Sequence, residues 1–208
     1  PNLNFLKDIR KFCNKKKIIL IFDECTSGFR ETYGGIHKKF NIFPDICVYG
    51  KAIGNGYGIT AVVGKKDVMD SAQKTFISST FWTERIGPTA ALKTLEVMNK
   101  MKSWEIITST GNKVRKGWQE LADKYNIPIK LSAIPAVSSY SFLSKNHNYY
   151  KTLITQELLK KNILASTSFY ACTEHKQSHI DFYLENLEKV FYTISKLEND
   201  DLDIKKLI

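Results

Sequence analysis

Cysteine and long apolar runs are both scarce in this 208-residue sequence, and each scarcity excludes a class of protein. Arginine is scarce as well, so the positive charge rests mostly on lysine. The four cysteines form no Cys-x-x-Cys pair, which argues against a disulfide framework and fits a reducing compartment. The longest apolar runs, such as Ile18–Phe22, fall far short of the roughly 20 residues that cross a bilayer. No secretory signal is visible. The sequence therefore predicts a cytoplasmic protein with no membrane partner.

A metal site has little support in the sequence. The nearest approach is Cys172-x-x-His175-x-x-x-His179, which lacks the second pair of ligands that a closed zinc site requires. We interpret this segment as a loop that leads into a helix.

The formal net charge is +10, which by itself favours a nucleic-acid partner. The positive residues, however, are mostly lysines spread along the whole chain, and the single run of three, Lys15–Lys17, is typical of a solvated turn. Clustering, rather than total charge, marks a nucleic-acid surface. We therefore expect no nucleic-acid partner.

Two apolar segments have the composition of buried strands. Ile18–Phe22 is a continuous apolar run rich in β-branched residues, which predicts a strand buried on both faces of a parallel sheet. It ends abruptly at Asp23. A second strand is predicted at Ile46–Tyr49, and it is followed at once by Gly50 and Lys51.

The remaining pattern predicts an α/β fold in two domains, 1–103 and 104–208. Further strands are predicted at 61–63, 76–78, 129–131, 138–143, 163–165 and 168–172. Helices are predicted at 3–14, 67–72, 88–101, 104–124, 149–160 and beyond residue 178.

The ends of the first two predicted strands carry opposite charges. In open parallel sheets the ligand site lies beyond the carboxyl ends of the strands, so Asp23 and Lys51 are expected to face one crevice. A buried charge needs a partner. The two residues either form an ion pair with each other or serve a ligand, and their spacing alone leaves both interpretations open.

Alternating glycines after Lys51 favour a ligand. Gly54, Gly56 and Gly58 match neither the phosphate loop of nucleotide hydrolases, where the lysine follows the glycines, nor the GxGxxG dinucleotide turn. Glycines allow backbone to approach a flat ligand and leave room for the lysine amine. A lysine acts as a covalent catalyst when it condenses with a carbonyl group.

These residues resemble a known family. The segments FDECTSGFR (22–30), PD (44–45) and YGKAIGNG (49–56) look like those of class III pyridoxal-phosphate (PLP) aminotransferases, in the branch that contains glutamate-1-semialdehyde 2,1-aminomutase. The similarity continues through 64–70 and 79–80, and more weakly through 171–194. It implies a fold-type I PLP-dependent transferase. The chain would supply part of the mostly parallel sheet of the large domain and the small C-terminal α/β domain.

The resemblance also implies roles for individual residues. Lys51 would form the internal aldimine with PLP and carry a proton between the substrate Cα and the cofactor C4′. Asp23 would lie against the pyridine nitrogen and keep it protonated. A family threonine that reaches the phosphate held by the other subunit of a homodimer corresponds to Thr80 by its place at a strand end. Thr83 corresponds by its distance from Pro88, and Thr80 is the preferred match.

The segment FWTERIG (81–87) departs from the family, whose pattern there is a short serine-glycine-asparagine-proline turn. That segment lies near the substrate in the family. We expect PLP-dependent amino transfer between small amino and keto compounds, with two alternatives. One is intramolecular transfer, as in the aminomutase, and the other is a non-catalytic fragment that acts as a folded or dimerising partner. Arg85 would bind a substrate carboxylate, or it would pair with Glu84 or Glu96.

A second departure concerns what precedes the chain. In the family, the glycine- and serine-rich turn that holds the phosphate and the aromatic residue that stacks on the ring come from residues before Pro1. We therefore expect this chain to be the C-terminal half of the enzyme, with about as much sequence again upstream.

Overall fold

The computed structural model describes residues 2–81 and 83–199. The chain divides into two compact units, of which the first ends at Glu105 and the second begins at Ile106. The division falls inside a helix, close to the boundary that the sequence places at residue 103. Trp82 and residues 200–208, which close the predicted second domain, lie outside the described residues.

The first unit is built around a three-stranded sheet with the order β1-β2-β3. β1 and β2 run parallel, as the sequence predicts, and β3 runs antiparallel to β2. A short 3-10 turn at Lys51–Ile53 follows β2. A second one, at Asp70–Lys74, follows the helix Lys66–Met69. The helices and strands are α1 (Leu3–Lys16), β1 (Ile21–Asp23), α2 (His37–Phe40), β2 (Ile46–Tyr49), β3 (Ala61–Gly64), α3 (Lys66–Met69) and α4 (Ile86–Met101).

One strand prediction in this unit is wrong, and another is wrong in part. Residues 76–78 form no strand, and Phe76 is 95% exposed. The first strand is shorter than predicted and is not buried on both faces, since Ile19 and Ile21 are about half exposed. Among the described strands, β1 pairs only with β2, and no strand pairs with residues 76–78.

One buried carboxylate joins three elements of this unit. Asp45 Oδ2 accepts hydrogen bonds from the backbone N–H of Leu20 (2.8 Å) and from Arg10 of α1 (2.8 Å), and Oδ1 lies 2.7 Å from Lys65 Nζ. Burial alone would raise the pKa of Asp45, but these three donors outweigh it and hold the pKa well below its usual value. Asp45 therefore fixes the start of the first strand against α1 and the end of β3.

The second unit packs three helices against an antiparallel sheet with the order β4-β5-β6. Its core is formed by fully buried side chains that include Trp118, Tyr150 and Phe191. These lie on the apolar stripes that identify its helices in the sequence. The elements are α5 (Ser103–Lys124, which crosses the division), β4 (Ile129–Ser132), β5 (Val137–Phe142), α6 (His147–Leu159), β6 (Ser168–Tyr170) and α7 (Gln177–Glu198).

The predicted strand at 163–165 is also wrong. Asn162 has a left-handed conformation (φ 59°) after the end of α6, and the Ile163 N–H then donates to the Leu158 carbonyl at 3.0 Å. Ile163 packs against the core of the second unit. Its apolar character therefore reflects packing after a helix end rather than strand pairing.

The described part of the chain contains no helix that is both long and apolar enough to cross a membrane. Within the same residues, no group of three histidine, cysteine or acidic side chains is arranged to hold a metal ion. The ring nitrogens of His175 and His179 instead accept hydrogen bonds from the backbone N–H groups of Cys172 and Lys176.

Candidate active site

Asp23 and Lys51 come together at one edge of the β1–β2 pair. Asp23 is the last residue of β1 and lies opposite Val48 of β2, while Lys51 is separated from the end of β2 by Gly50 alone. Because the two strands are parallel, their carboxyl ends meet at the same edge of the sheet. Both side chains are exposed there.

The turn after β1 keeps the Asp23 carboxylate ionised. The backbone N–H of Cys25 donates to Asp23 Oδ1 at 3.0 Å and is the main reason that the pKa of Asp23 is lowered. A hydrogen bond from the Cys25 thiol and the positive charge of Lys51 lower the pKa further. Asp23 therefore presents a negative charge at the strand edge at neutral pH.

Lys51 does not form the ion pair that its spacing from Asp23 left open. Among the described residues, no salt bridge joins the two side chains, and Lys51 Nζ donates to the Thr26 hydroxyl instead. The Lys51 backbone has a left-handed conformation (φ 47°), which is costly for a residue with a side chain. Such strain is concentrated at functional sites. Lys51 is thus an exposed amine on a strained turn, held by a neutral hydroxyl group.

The glycines after Lys51 shape the turn itself. A Cβ at Gly54 would lie 2.2 Å from the Tyr57 carbonyl oxygen, so a larger residue would break the turn. Gly56 has φ 103°, which is accessible chiefly to glycine. Gly54 and Gly56 therefore meet needs of the local backbone, and Lys51 sits at the start of a turn that the sequence tightly specifies.

A buried polar cluster behind Asp23 was not predicted from the sequence. Glu24 is 2% exposed and accepts hydrogen bonds from the backbone N–H groups of Ile36 and His37 (3.1 Å each), from the His37 ring (2.9 Å) and from the Ser27 hydroxyl. Glu24 thereby ties the start of α2 to the chain immediately after Asp23. The contact between Glu24 and His37 could not be predicted, because the two residues are 13 positions apart with no pattern between them. The sequence shows only that a second carboxylate stands beside Asp23.

Thr80 and Thr83 lie in an exposed turn before α4. No hydrogen bond among the described residues links either threonine to Asp23 or Lys51. The Phe81 ring between them is close to the glycine turn, since a Cβ at Gly58 would lie 3.3 Å from it. The structure therefore places the two threonines on the surface of the first unit, and Trp82 lies outside the described residues.

A family model described as aminotransferase class-III matches residues 1–169. The chain belongs to this family. The resemblance that the motifs around Asp23 and Lys51 indicate is therefore confirmed.

Curated relatives of this class III aminotransferase chain include both types of enzyme that the motifs suggest. It is 30% identical to 3-aminobutyryl-CoA aminotransferase of Cloacimonas acidaminovorans, over 95% of this chain and 49% of the relative. It is 29% identical to glutamate-1-semialdehyde 2,1-aminomutase of Legionella pneumophila, over 90% of this chain and 46% of the relative. The chain thus spans about half the length of the curated relatives it matches.

Solved transaminases share the fold. The FumI protein of Sphingopyxis sp. MTA144, solved in its PLP internal aldimine form, superposes with a TM-score of 0.86 at 21% identity, over 100% of this chain and 50% of FumI. Acetylornithine aminotransferase of Elizabethkingia anophelis superposes with a TM-score of 0.82 at 21% identity, over 93% of this chain and 50% of that protein. The chain therefore has the fold of the PLP-dependent transaminases.

Proposed function

We propose that the complete protein catalyses PLP-dependent amino-group transfer between small amino and keto compounds, with Lys51 and Asp23 as its central residues. One observation carries this proposal. An exposed amine and an ionised carboxylate lie at the neighbouring ends of β1 and β2, in a chain of the class III aminotransferase family. Family membership alone would also fit a chain that had lost these two groups.

The chemistry of these groups fits PLP. Lys51 offers a primary amine that can hold an aldehyde, and Asp23 offers a carboxylate that can hold a protonated ring nitrogen. When bound, PLP supplies a ring that accepts the electron pair left by the substrate Cα–H bond.

Each residue then has a defined task in proton transfer. The Lys51 amine would take the proton from the substrate Cα as general base and deliver it to the cofactor C4′ as general acid. The Thr26 hydroxyl, which accepts from Lys51 Nζ, orients the amine before substrate enters. The Asp23 carboxylate stays ionised because of the Cys25 donors, so it keeps the ring nitrogen protonated through the reaction.

We further propose a homodimer in which the active site is shared. Thr80 or Thr83 would donate its hydroxyl to the phosphate group held by the partner subunit. Because residues 76–78 form no strand, the strand-end match that favoured Thr80 no longer separates the two. Both threonines are exposed in the turn before α4, which leaves them accessible to a partner subunit. A cytoplasmic location, without nucleic acid or membrane partners, is part of the same proposal.

Intramolecular amino transfer is the second candidate, because curated aminomutases are among the relatives. The two reactions differ in whether an external amino donor is consumed. A third possibility, a non-catalytic folded or dimerising partner, predicts no reaction with any donor.

The test is a pair of half-reactions on the complete protein reconstituted with PLP. An amino donor should convert the cofactor absorbance band to that of the amine form, and a keto acceptor should restore it. An aminomutase would instead act on a single amino-aldehyde without net consumption of donor. A protein that forms no cofactor band, or whose band responds to no substrate of these classes, would contradict the proposal.

A further inference from the structure

A cavity of about 520 Å³ lies between the glycine turn and the first half of α4. Gly54, Asn55 and Tyr57 line one side, and residues of α4 and its start, including Arg85 and Lys93, line the other. Its volume is in the range of small-molecule sites, which is roughly 300–1,000 Å³. The proposed function does not use this cavity.

The lining of the cavity is positive and apolar. Arg85 supplies a cation, Ile86 and Ala90 supply apolar surface, and none of the residues that line it is acidic. Lys93 is a second cation of the lining, but it is paired with Glu96. A cavity of this kind suits an anionic group on a short apolar stem.

The two carboxylates that the sequence offers as partners for Arg85 both have other partners in the structure. Glu84 accepts from the backbone N–H groups of Ile86 (2.6 Å) and Gly87 (3.1 Å), where it caps α4. Glu96 pairs with Lys93 at 2.7 Å. Within residues 2–81 and 83–199, no salt bridge engages Arg85. Arg85 therefore lines the cavity while both neighbouring carboxylates are engaged elsewhere.

One wall of the cavity comes from the turn that begins at Lys51. Gly54 and Asn55 line the cavity, and the Asn55 N–H donates to the Lys51 carbonyl at 3.2 Å. The cavity therefore shares this turn with Lys51, while Lys51 and Asp23 themselves are not among the residues that line it.

We propose that Arg85 anchors a small oxyanion, a carboxylate or a phosphate group of the amino substrate, in this cavity. The assignment to the substrate rests on the proposed function, whereas the oxyanion site itself rests on the cavity and on the engaged carboxylates. Arginine is suited to this task because its planar fork donates two parallel hydrogen bonds to a carboxylate or phosphate. Lys93 lacks this fork and is already paired with Glu96, so the assignment rests on Arg85.

The test compares three probes of similar length by ligand-observed NMR titration of the complete protein. Butyrate carries a carboxylate, propylphosphonate stands for a phosphate group, and butyramide is the uncharged control. The variants are Arg85→Gln, Arg85→Lys and Lys100→Gln, of which the last removes one positive charge from α4 outside the cavity.

We expect Arg85→Gln to weaken the preferred anion about tenfold or more, since it removes a charged bidentate contact. Arg85→Lys should retain the charge but recover only part of the affinity, while Lys100→Gln should change it less than about twofold, as screening of exposed charges implies. Butyramide should respond to none of the three. The tighter of the two anions identifies the source of the group.

Equal weakening by Arg85→Gln and Lys100→Gln would overturn the inference, because it would show a general charge effect. So would a wild-type protein that binds butyramide as well as the anions, or that binds none of the probes. These results do not depend on turnover. A protein that binds the anions through Arg85 but fails the half-reactions would retain this site and lose the proposed function.

Discussion

At the scale of single residues, position at a strand end gives Asp23 and Lys51 their chemical character. The same side chains are ordinary surface residues elsewhere in the chain. At the ends of β1 and β2 they share one edge, and the Cys25 N–H and thiol keep the carboxylate charged. The arrangement brings together a carboxylate that could hold a protonated ring nitrogen and an amine that could carry a proton.

Asp23→Asn should therefore preserve the fold and slow removal of the substrate Cα proton. Asparagine has nearly the same shape, but it cannot keep the ring nitrogen protonated by charge. We expect a loss on the order of 10²-fold in the single-turnover rate of proton release, comparable to the loss of a positioned catalytic group. Asp8→Asn, an exposed change on α1, is the control and should react at the wild-type rate. A near-normal rate for Asp23→Asn would show that the ring nitrogen is protonated by another group.

The sequence predicted these two residues because an apolar run, an abrupt charge and a general rule on parallel sheets converge on them. It did not predict the contact of Glu24 with His37, since the intervening loop has no periodic pattern. It left Arg85 open for a related reason. Whether Glu84 and Glu96 are available depends on the capping of α4 and on the partner of Lys93, which are three-dimensional facts.

At the scale of elements, Asp45 is the joint of the first unit. It contacts α1 through Arg10, the entry to β1 through Leu20 and the end of β3 through Lys65. The sequence marks Asp45 only as part of a short family motif. Its role emerges from the structure, because its three partners are distant along the chain.

Asp45→Asn should destabilise the protein by about 3 kcal/mol, since it leaves two cations without their buried partner. The pH dependence has a definite sign. The pKa of Asp45 is lowered in the folded state, so its contribution is complete well above the unfolded value of about 3.9 and is lost as the pH falls below it. Chemical denaturation from pH 7 down to pH 3 should show a steeper loss for the wild type than for the variant. Parallel curves would contradict this assignment, and Asp67→Asn is the exposed control.

The wrong strand predictions also belong to this scale. An apolar run states that a segment must be covered, but it does not state by what. Ile163 packs against the core of the second unit. The segment at 76–78 has no pairing strand among the described residues. Strand pairing depends on a neighbour, and a neighbour cannot be derived from the run itself.

At the scale of the whole molecule, the first unit exposes surface that is typical of an interior. Several large apolar side chains of the sheet region are about half exposed, namely Ile18, Ile19, Ile21, Val62 and Val63. The outer edges of β1 and β3 are unpaired among the described strands. Exposed apolar patches and free strand edges promote association. The relatives are about twice the length of this chain, so their additional sequence offers a natural cover.

We therefore expect residues 1–208 expressed alone to bind PLP weakly and to aggregate. Co-expression with the preceding half of the complete protein, as a separate chain, should restore solubility and the cofactor band together. Ile21→Lys provides the matched test. It should improve the solubility of the isolated chain, because it places a charge on the open β1 edge, and it should abolish the rescue. A stable, monomeric 208-residue chain that binds PLP tightly would contradict this prediction.

The central claim is that the Lys51 amine holds the cofactor. The most direct measurement is borohydride reduction of the complete protein with bound PLP, followed by peptide mass spectrometry to locate the modified lysine. We predict a single phosphopyridoxyl group on Lys51, with loss of the cofactor band on reduction, and neither signal in Lys51→Ala, which should also lose nearly all turnover. A phosphopyridoxyl group on another lysine of the wild-type protein, or a reducible band that persists in Lys51→Ala, would contradict the account.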